Sequence, residues 1–206
     1  MNNVNYQKEL EKILDSITDP SQKLLLHSCC APCSSYCLIY LLPYFDITCF
    51  YYNPNITGKE EYDKRRGELH RLVDALNEEY DPPHKIKVID GDYESDLFIE
   101  KVKEQSLEGC PEGGTRCGMC FDMRLRKTYE RARADGFDLF TTTLTISPHK
   151  NAQLINSIGS GIASGNDGPV WLPADFKKND GYKRSIELSA KYELYRQSFC
   201  GCVYSL

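Results

Sequence analysis

Cysteine is the residue type whose number and spacing indicate chemistry most directly in this sequence. The chain contains 10 cysteines, and four of them, Cys29, Cys30, Cys33 and Cys37, fall within the segment HSCCAPCSSYC. Further cysteines lie close together in RCGMC and in CGC. Because the N-terminal segment lacks the apolar core of a secretory signal, we expect a reducing compartment, where such clusters indicate metal binding or thiol redox chemistry.

Two cysteine pairs, Cys29 with Cys30 and Cys117 with Cys120, predict a site with four thiolates. Each pair lies near a predicted helix start, where exposed backbone N–H groups lower the pKa of a thiol. Four thiolates suit either a structural Zn²⁺ or a [4Fe–4S] cluster, and the spacing does not distinguish them. The alternatives are a thioredoxin-like redox pair, Cys30 and Cys33, or thiols that merely pack in the core.

The remaining cysteines fall into three kinds. Cys37 and Cys49 lie among apolar residues and are expected in the core. A disulfide between Cys200 and Cys202 would close a very small ring, so it would be reduced easily and would suit a two-electron relay. Two unrelated thiols are the alternative for this pair, and Cys110 is equally compatible with a structural, a reactive or an incidental role.

The segments that position these cysteines alternate between strands and helices. Apolar runs predict strands at residues 23–27, 46–56, 85–90, 138–144 and 169–173. Helical spacing predicts helices at residues 3–17, 32–43, 58–80, 95–105, 120–134, 148–164 and 180–194. This alternation predicts an α/β fold with a mostly parallel sheet of about five strands and helices on both faces.

Ligands of open parallel sheets bind beyond the carboxyl ends of the strands. Four polar segments are predicted at such ends, and they are residues 29–33, 53–55, 147–150 and 175–178. The first segment carries cysteines where related folds place phosphate-binding glycines. This position favours a cluster over zinc, because a structural zinc usually staples a peripheral loop, whereas Cys29 and Cys30 lie at the predicted active site.

Length, charge and hydropathy limit the class of protein. We treat residues 1–206 as a single catalytic domain, with an N-terminal flanking helix in 1–20, a Cys/Gly-rich ligand loop at 106–119 and a C-terminal redox tail at 193–206. The net charge is −5, so a nucleic-acid partner would need a local basic patch. The longest apolar stretches span about seven residues, too few for a membrane helix, so we expect a cytoplasmic protein without a membrane partner.

Six motifs are spread over residues 27–202, and they are HSCCAPC, YYNPNI, RCGMCFDMRL, TTTLTISPHKN, DFKKNDGYKRSIELS and YRQSFCGC. Together they resemble the epoxyqueuosine reductase QueH family. The resemblance implies a HUP-type, Rossmann-like α/β sandwich. It also implies an iron–sulfur oxidoreductase that removes the epoxide oxygen of epoxyqueuosine at the anticodon wobble position of tRNA without cobalamin, the last step of queuosine biosynthesis.

The resemblance also implies how the cofactors are bound. The cluster ligands would be Cys29, Cys30, Cys117 and Cys120, and the redox-active disulfide would join Cys200 and Cys202. An additional iron ion is associated with the family, and we expect Cys33 as its ligand. Deoxygenation needs two electrons, whereas a [4Fe–4S] cluster normally passes one at a time. We therefore expect a second electron source or an oxygen-binding metal, together with a low-potential electron donor as a partner.

Contacts to a tRNA carrying epoxyqueuosine are predicted from basic and aromatic residues. Two basic stretches, residues 124–133 and 177–184, would bind phosphates, and the first of them begins with Arg124. The alternative is that a basic helix face is merely solvated, as is often the case. Tyr52 and Asn53, at the end of the second predicted strand, are candidates for base stacking and base-edge contacts.

His149 and Lys150 follow the fourth predicted strand and lie at the expected active-site edge of the sheet. Deoxygenation requires a proton donor, and these two residues are candidates for that role or for a phosphate contact. The alternative is a pair of residues at a helix start that face solvent.

Two other functions compete with the reductase. A thiol-dependent tRNA sulfurtransferase of the same fold group would need a glycine-containing ATP loop of the SGGxDS kind after the first strand, where this chain has HSCCAPCSS. A non-enzymatic zinc-binding module would use the same thiolates without redox chemistry at Cys200 and Cys202.

Overall fold

Five strands form one parallel sheet within residues 4–165 and 167–205, which the computed structural model describes. The strands are β1 (Lys23–His27), β2 (Asp46–Tyr51), β3 (Lys87–Asp90), β4 (Leu139–Thr142) and β5 (Val170–Trp171). Neighbouring strands are parallel, in the spatial order β3–β2–β1–β4–β5. The predicted α/β class is confirmed. The order reverses between β1 and β4, so the switch point of this Rossmann-like sheet lies at the end of β1.

Seven α-helices flank the sheet in that part of the chain. They are α1 (Tyr6–Ser16), α2 (Ala31–Leu41), α3 (Lys59–Tyr80), α4 (Ser95–Glu104), α5 (Thr115–Ala134), α6 (Ala152–Ala163) and α7 (Gly181–Lys191). Helices α1, α2 and α3 contribute to the apolar core on one face, and α5 and α6 to the core on the other. Among the described residues, no helix is both long enough and apolar enough to cross a membrane.

The leucines of β1 show how the sheet separates the two cores. Leu24 and Leu26 pack with α1, α2 and α3, whereas Leu25 packs with α5 and α6. This alternation belongs to a strand that is buried on both faces, and burying each leucine contributes about 1.5–3 kcal/mol. Cys37 and Cys49 are fully buried in the first core, which confirms their prediction as core residues.

Capping residues set the starts of two helices. The Asn5 side chain accepts a hydrogen bond from the Lys8 N–H at 3.2 Å, so α1 begins at Tyr6. The predicted start at Asn3 lies outside the described residues. Helix α6 begins at Ala152 rather than at Pro148, because Asn151 caps it by accepting from the Leu154 N–H at 3.1 Å. Residues 147–150 therefore form a turn that precedes the helix.

Helix α5 begins five residues earlier than predicted, at Thr115 instead of Cys120. The predicted loop 106–119 is accordingly shorter, and Cys117 lies in the first turn of the helix. The glycines of this segment lower its helix propensity. Tertiary contacts outweigh that preference, because the Arg116 side chain is buried and hydrogen-bonded to the preceding loop.

Candidate metal centre and substrate cavity

Three thiols converge where β1 passes into α2. The Sγ atoms of Cys29, Cys30 and Cys33, called here the junction thiols, lie within 4.8 Å of one another. Cys30 precedes α2 in an extended conformation, with φ −173° and ψ 164°, and Pro32 occupies the first helical turn. Cys29 and Cys30 are buried, whereas Cys33 is partly exposed. This donor set is suited to a metal ion.

Buried hydrogen bonds fix the backbone that carries the junction thiols. His27 is fully buried, and its Nδ1 lies 2.8 Å from Thr142 Oγ1 while its Nε2 lies 3.0 Å from the Tyr52 carbonyl oxygen. Burial lowers the pKa of His27 to about 3, so the ring is neutral and its Nε2–H donates to that carbonyl. The Cys29 N–H donates to Thr143 Oγ1 at 3.2 Å. His27 thereby joins the ends of β1, β2 and β4.

The junction thiols differ in acidity. Hydrogen bonds from the Cys30 and Cys33 thiols hold the pKa of Cys29 well below its ordinary value, although burial opposes this. The neighbouring Cys29 sulfur in turn raises the pKa of Cys30 to about 12 and raises that of Cys33. The group therefore carries its first negative charge on Cys29, in the form in which cysteine binds metals.

Two cations, Arg124 and Lys150, lie near the Cys29 sulfur. Within the described residues, neither forms an ion pair with a carboxylate. Arg124 is 2% exposed, and its Nε donates to the Cys120 carbonyl at 3.2 Å. Burial opposes the charge of both Arg124 and Lys150, but the pKa of each is raised by surrounding thiolates, including Cys29 and Cys200. Arg124 is buried and Lys150 is half-buried, and since an unpaired cation removed from water is costly, these side chains are suited to balance anionic sulfur.

A second set of cysteines comes from two distant segments. Cys117, Cys120, Cys200 and Cys202, called here the α5–tail thiols, lie at the start of α5 and in the C-terminal segment. Cys120 and Cys202 share an apolar cluster, and Cys110 and Cys200 pack against it. Cys117 packs against the cluster that contains Cys29 and Cys30, so it lies between the two sets. The Sγ atoms of Cys117 and Cys120 are not part of the 4.8 Å group formed by the junction thiols.

The C-terminal segment is docked against α3 and the junction thiols. Arg65, which is 3% exposed, donates to the carbonyl oxygens of Cys200 at 3.1 Å and Phe199 at 3.3 Å. The Gln197 side-chain nitrogen donates to Cys30 Sγ at 2.9 Å. Gly201 has φ +96°, and a Cβ there would lie 2.9 Å from the Ile56 side chain, so glycine is required between the two tail cysteines.

Arg116 holds the loop that carries Cys110. Its guanidinium donates to the carbonyl oxygens of Leu107, Glu108 and Cys110, and to that of Tyr204 near the C-terminus. Sequence reasoning did not identify Arg116, Arg65 or His27. Only His27 carried a signal, as a polar residue at the end of an otherwise apolar strand.

A cavity of about 730 Å³ opens at the switch point. It is lined by segments that follow β1, β2 and β4, by the start of α7 and by the C-terminal segment. Its cationic lining residues are Arg124, Lys150, Arg196 and Arg65, the last of which pairs with Glu61 at 2.6 Å, whereas Glu112 is the acidic lining residue. Although the whole chain has a net charge of −5, the main cavity is therefore suited to an anionic ligand.

The 730 Å³ cavity, called here the main cavity, is lined by several of the predicted substrate-binding residues but not by Tyr52. Asn53, Arg124, His149 and Lys150 line it, as do Cys29, Cys33 and Cys200. Tyr52 instead lines a separate cavity of about 300 Å³. Its hydroxyl donates to Glu94 at 2.6 Å and its ring stacks on Phe50, so the structure does not place it beside Asn53 as a base contact.

The basic stretch 124–133 is largely neutralised by neighbouring carboxylates. Arg126 pairs with Asp122 at 2.7 Å, Lys127 with Glu94 at 3.2 Å and Arg131 with Asp135 at 2.6 Å. Such pairing reduces the attraction of a helix face to phosphate. In the stretch 177–184, Lys177 pairs with Asp175, whereas Lys178, Lys183 and Arg184 are exposed.

Fold and site together define a class of protein. A Rossmann-like sheet carries thiols at its switch point in place of phosphate-binding glycines, and these thiols border a cationic cavity. This combination describes an α/β protein with a candidate cysteine-based metal centre at the position where the fold class binds ligands.

Comparison with known proteins identifies the family. The model of the family "Epoxyqueuosine reductase QueH" matches residues 24–206. The chain is 42% identical over 204 residues to the epoxyqueuosine reductase QueH of Staphylococcus epidermidis, covering 98% of this chain and 84% of that protein. The QueH of Streptococcus pyogenes serotype M1 is 41% identical over 204 residues (98% and 78%), and that of Thermotoga maritima 34% over 188 residues (89% and 90%). The chain belongs to the epoxyqueuosine reductase QueH family.

Proposed function

We propose that this protein is an oxidoreductase that converts epoxyqueuosine to queuosine at the wobble position of tRNA, in the cytoplasm. Membership of the QueH family gives the reaction. The proposal is supported above all by one observation: the junction thiols Cys29 and Cys33 line the cationic main cavity. A sulfur group that can bind metal therefore lies next to a site suited to a polyanionic substrate.

The cysteines fit a [4Fe–4S] cluster held by Cys29, Cys30, Cys117 and Cys120. A cluster separates its ligand sulfurs more widely than a single metal ion does, so Cys117 could join it from outside the 4.8 Å group, whereas Cys29 Sγ and Cys30 Sγ would have to move apart from their 3.8 Å separation. Cys33 then remains for an additional iron. When bound, the cluster would supply electrons singly, and a neighbouring iron would act as a Lewis acid on the epoxide oxygen.

The cations of the cavity have two roles in this proposal. Arg124 and Lys150 would balance the negative charge that the thiolates carry once they bind metal, and Lys150 contributes to the low pKa of Cys29. Both side chains line the cavity, where they also attract the phosphates that flank the modified nucleotide. The exposed Lys178, Lys183 and Arg184 would extend this attraction over the stretch 177–184.

Protons are supplied by residues at the cavity wall. Removal of the epoxide oxygen as water consumes two electrons and two protons and leaves a carbon–carbon double bond. Lys150 keeps its proton on Nζ because nearby thiolates raise its pKa, although its burial opposes this, and it lines the cavity beside His149. These two residues are our candidates for the donors.

Cys200 and Cys202 are suited to provide the paired electrons. Oxidation of two thiols to one disulfide releases two electrons and two protons, which equals what the removal of one oxygen atom as water consumes. Cys200 lines the main cavity and Cys202 packs in one cluster with Cys120, so the pair lies between substrate and α5. A low-potential electron donor would then reduce the disulfide.

An anaerobic conversion assay tests the proposal. Protein purified without oxygen is mixed with tRNA carrying epoxyqueuosine and with dithionite, and the nucleosides are analysed by mass spectrometry. We expect queuosine to appear, and we expect no product with boiled protein. A protein that contains its full complement of iron but produces no queuosine would refute the assigned reaction.

A further inference from the structure

Three amide oxygens at the main cavity have no hydrogen-bond partner. Asn53 Oδ1, Asn55 Oδ1 and Gln197 Oε1 are buried and unpaired within the described residues, and all three residues line the cavity. A buried acceptor without a partner is costly, and folded proteins contain few of them. Their concentration at one cavity indicates that a ligand supplies the missing donors.

Backbone carbonyls fix the orientation of both asparagines. The Asn53 side-chain nitrogen donates to the Ser28 carbonyl at 3.0 Å, and that of Asn55 donates to the Cys200 carbonyl at 3.3 Å. A carbonyl oxygen accepts hydrogen bonds and cannot donate them, so the NH₂ group must face it. The oxygen of each amide is therefore the end left for a ligand.

Asn156 shows what a structural asparagine looks like in this fold. Its nitrogen donates to the carbonyls of Ala152 at 2.8 Å and Ala174 at 2.9 Å. Its oxygen accepts from the Trp171 indole at 3.1 Å and from the Ala174 N–H at 3.1 Å. Asn156 is saturated, whereas Asn53 and Asn55, which are equally inaccessible to solvent, use only their nitrogens.

We infer that the side-chain oxygens of Asn53 and Asn55 bind hydrogen-bond donors of the substrate nucleoside, namely hydroxyl or amino groups, and thereby determine specificity. The inference rests on the proposed function. Phosphate at neutral pH offers acceptors, so it is bound by Arg124 and Lys150 and not by an amide oxygen. The cavity thus divides recognition between cations that hold the backbone and amides that identify the modified nucleoside.

Paired substitutions separate the oxygen's role from that of the nitrogen. Asn55→Asp and Asn55→Leu both remove the donor to the Cys200 carbonyl, but the aspartate retains an oxygen acceptor at the same place. Affinity is measured anaerobically for tRNA with epoxyqueuosine and for the same tRNA with an unmodified wobble guanosine. We expect Asn55→Leu to weaken binding of the modified tRNA about tenfold and to leave binding of the unmodified tRNA unchanged. Asn55→Asp adds a negative charge that weakens binding of both tRNAs, so we expect its ratio of modified to unmodified affinity to stay closer to wild type than that of Asn55→Leu.

Asn77→Leu is the matched control. Asn77, in α3, makes two side-chain hydrogen bonds with the backbone of Ile86 in the loop before β3, away from the cavity. We expect this variant to lower the melting temperature without changing the ratio of the two affinities. Asn53→Asp and Asn53→Leu repeat the test where the folded fraction, checked by thermal unfolding, permits it.

Each other result overturns one of the two claims. Equal changes of the affinity ratio with leucine and aspartate, or a leucine variant that loses affinity for both tRNAs alike, would make the asparagines structural and refute the inference. A wild-type protein that binds the two tRNAs equally would also refute it. A wild-type protein that prefers the modified tRNA but never converts it would refute the proposed function and leave the inference standing.

Discussion

The junction thiols and the α5–tail thiols contain the same chemical group but are held together in different ways. The first set comes from five consecutive positions at one strand–helix junction, and its geometry follows from β1, the turn and the start of α2. The second set joins α5 to a segment about 80 residues later in the chain. Its geometry depends on Arg65 and Arg116, whose guanidinium groups bind the carbonyls of the C-terminal segment.

The junction thiols are therefore preformed by the sheet, whereas the α5–tail thiols are assembled from distant segments of the chain. The sheet fixes the junction thiols because β1 pairs with β2 and β4 on both sides. The α5–tail thiols come together only when the C-terminal segment docks, and docking by a few hydrogen bonds is weaker than burial in a sheet. We therefore expect metal binding to begin at the junction thiols, and redox chemistry to depend on the docked tail.

Removing a junction thiol should have the largest effect. We expect Cys29→Ala to lower the iron content by about tenfold or more and to abolish conversion, because the group loses its most acidic sulfur. Cys37→Ala, one helical turn further along in the apolar core, should keep the iron and lose roughly 1–2 kcal/mol of stability. Iron analysis and absorption spectra measure both, and wild-type iron in Cys29→Ala would contradict the assignment.

Removing an α5 thiol tests whether the two sets share a cluster. In Cys120→Ala, we expect the brown colour to be lost and the iron content to fall from roughly five to about one per chain, held by the junction thiols. Cys110→Ala, in the loop of the same apolar cluster, is the matched comparison and should keep its colour. A brown Cys120→Ala protein would show that the junction thiols bind the metal without α5.

The contrast between the two sets also separates what the sequence predicts from what it does not. Strand–helix alternation predicted that residues 29–33 follow β1 at the edge of the sheet, because it depends on neighbours along the chain. The sequence grouped Cys29 and Cys30 with Cys117 and Cys120 and assigned Cys33 to a separate iron, whereas the structure brings Cys33 together with Cys29 and Cys30. The docked tail was not predictable, since Arg65 lies in a charged amphipathic helix where a buried arginine looks like a solvated one. The early start of α5 was missed because burial of Arg116 outweighs the low helix propensity of the nearby glycines.

Loosening the tail should have an intermediate effect. Arg65→Gln removes the guanidinium that binds the Phe199 and Cys200 carbonyls, so we expect anaerobic alkylation of Cys200 to accelerate roughly tenfold. Arg71→Gln is the matched control on the same helix, because Arg71 also binds two carbonyls, those of Tyr192 and Glu193, but is exposed. Its effect should stay below about threefold. Equal rates in wild type and Arg65→Gln would show that Arg65 does not hold the tail.

The smallest effect is expected at the start of the tail, where Glu68 accepts from the Tyr195 N–H at 2.9 Å. Hydrogen bonds from Arg71 and from Tyr195 hold the pKa of Glu68 below its ordinary value, although burial opposes this. Since the folded-state pKa is depressed, the stabilisation is complete above the unfolded value of about 4.3 and disappears as the pH falls through the folded one. We expect Glu68→Gln to lower the melting temperature by roughly 1–2 °C at pH 7, and we expect this deficit to shrink progressively as the pH falls below about 4.3. Glu78→Gln, at an exposed position of α3, is the control, and a deficit of Glu68→Gln that persists at low pH would mean that the carboxylate charge does not hold the tail.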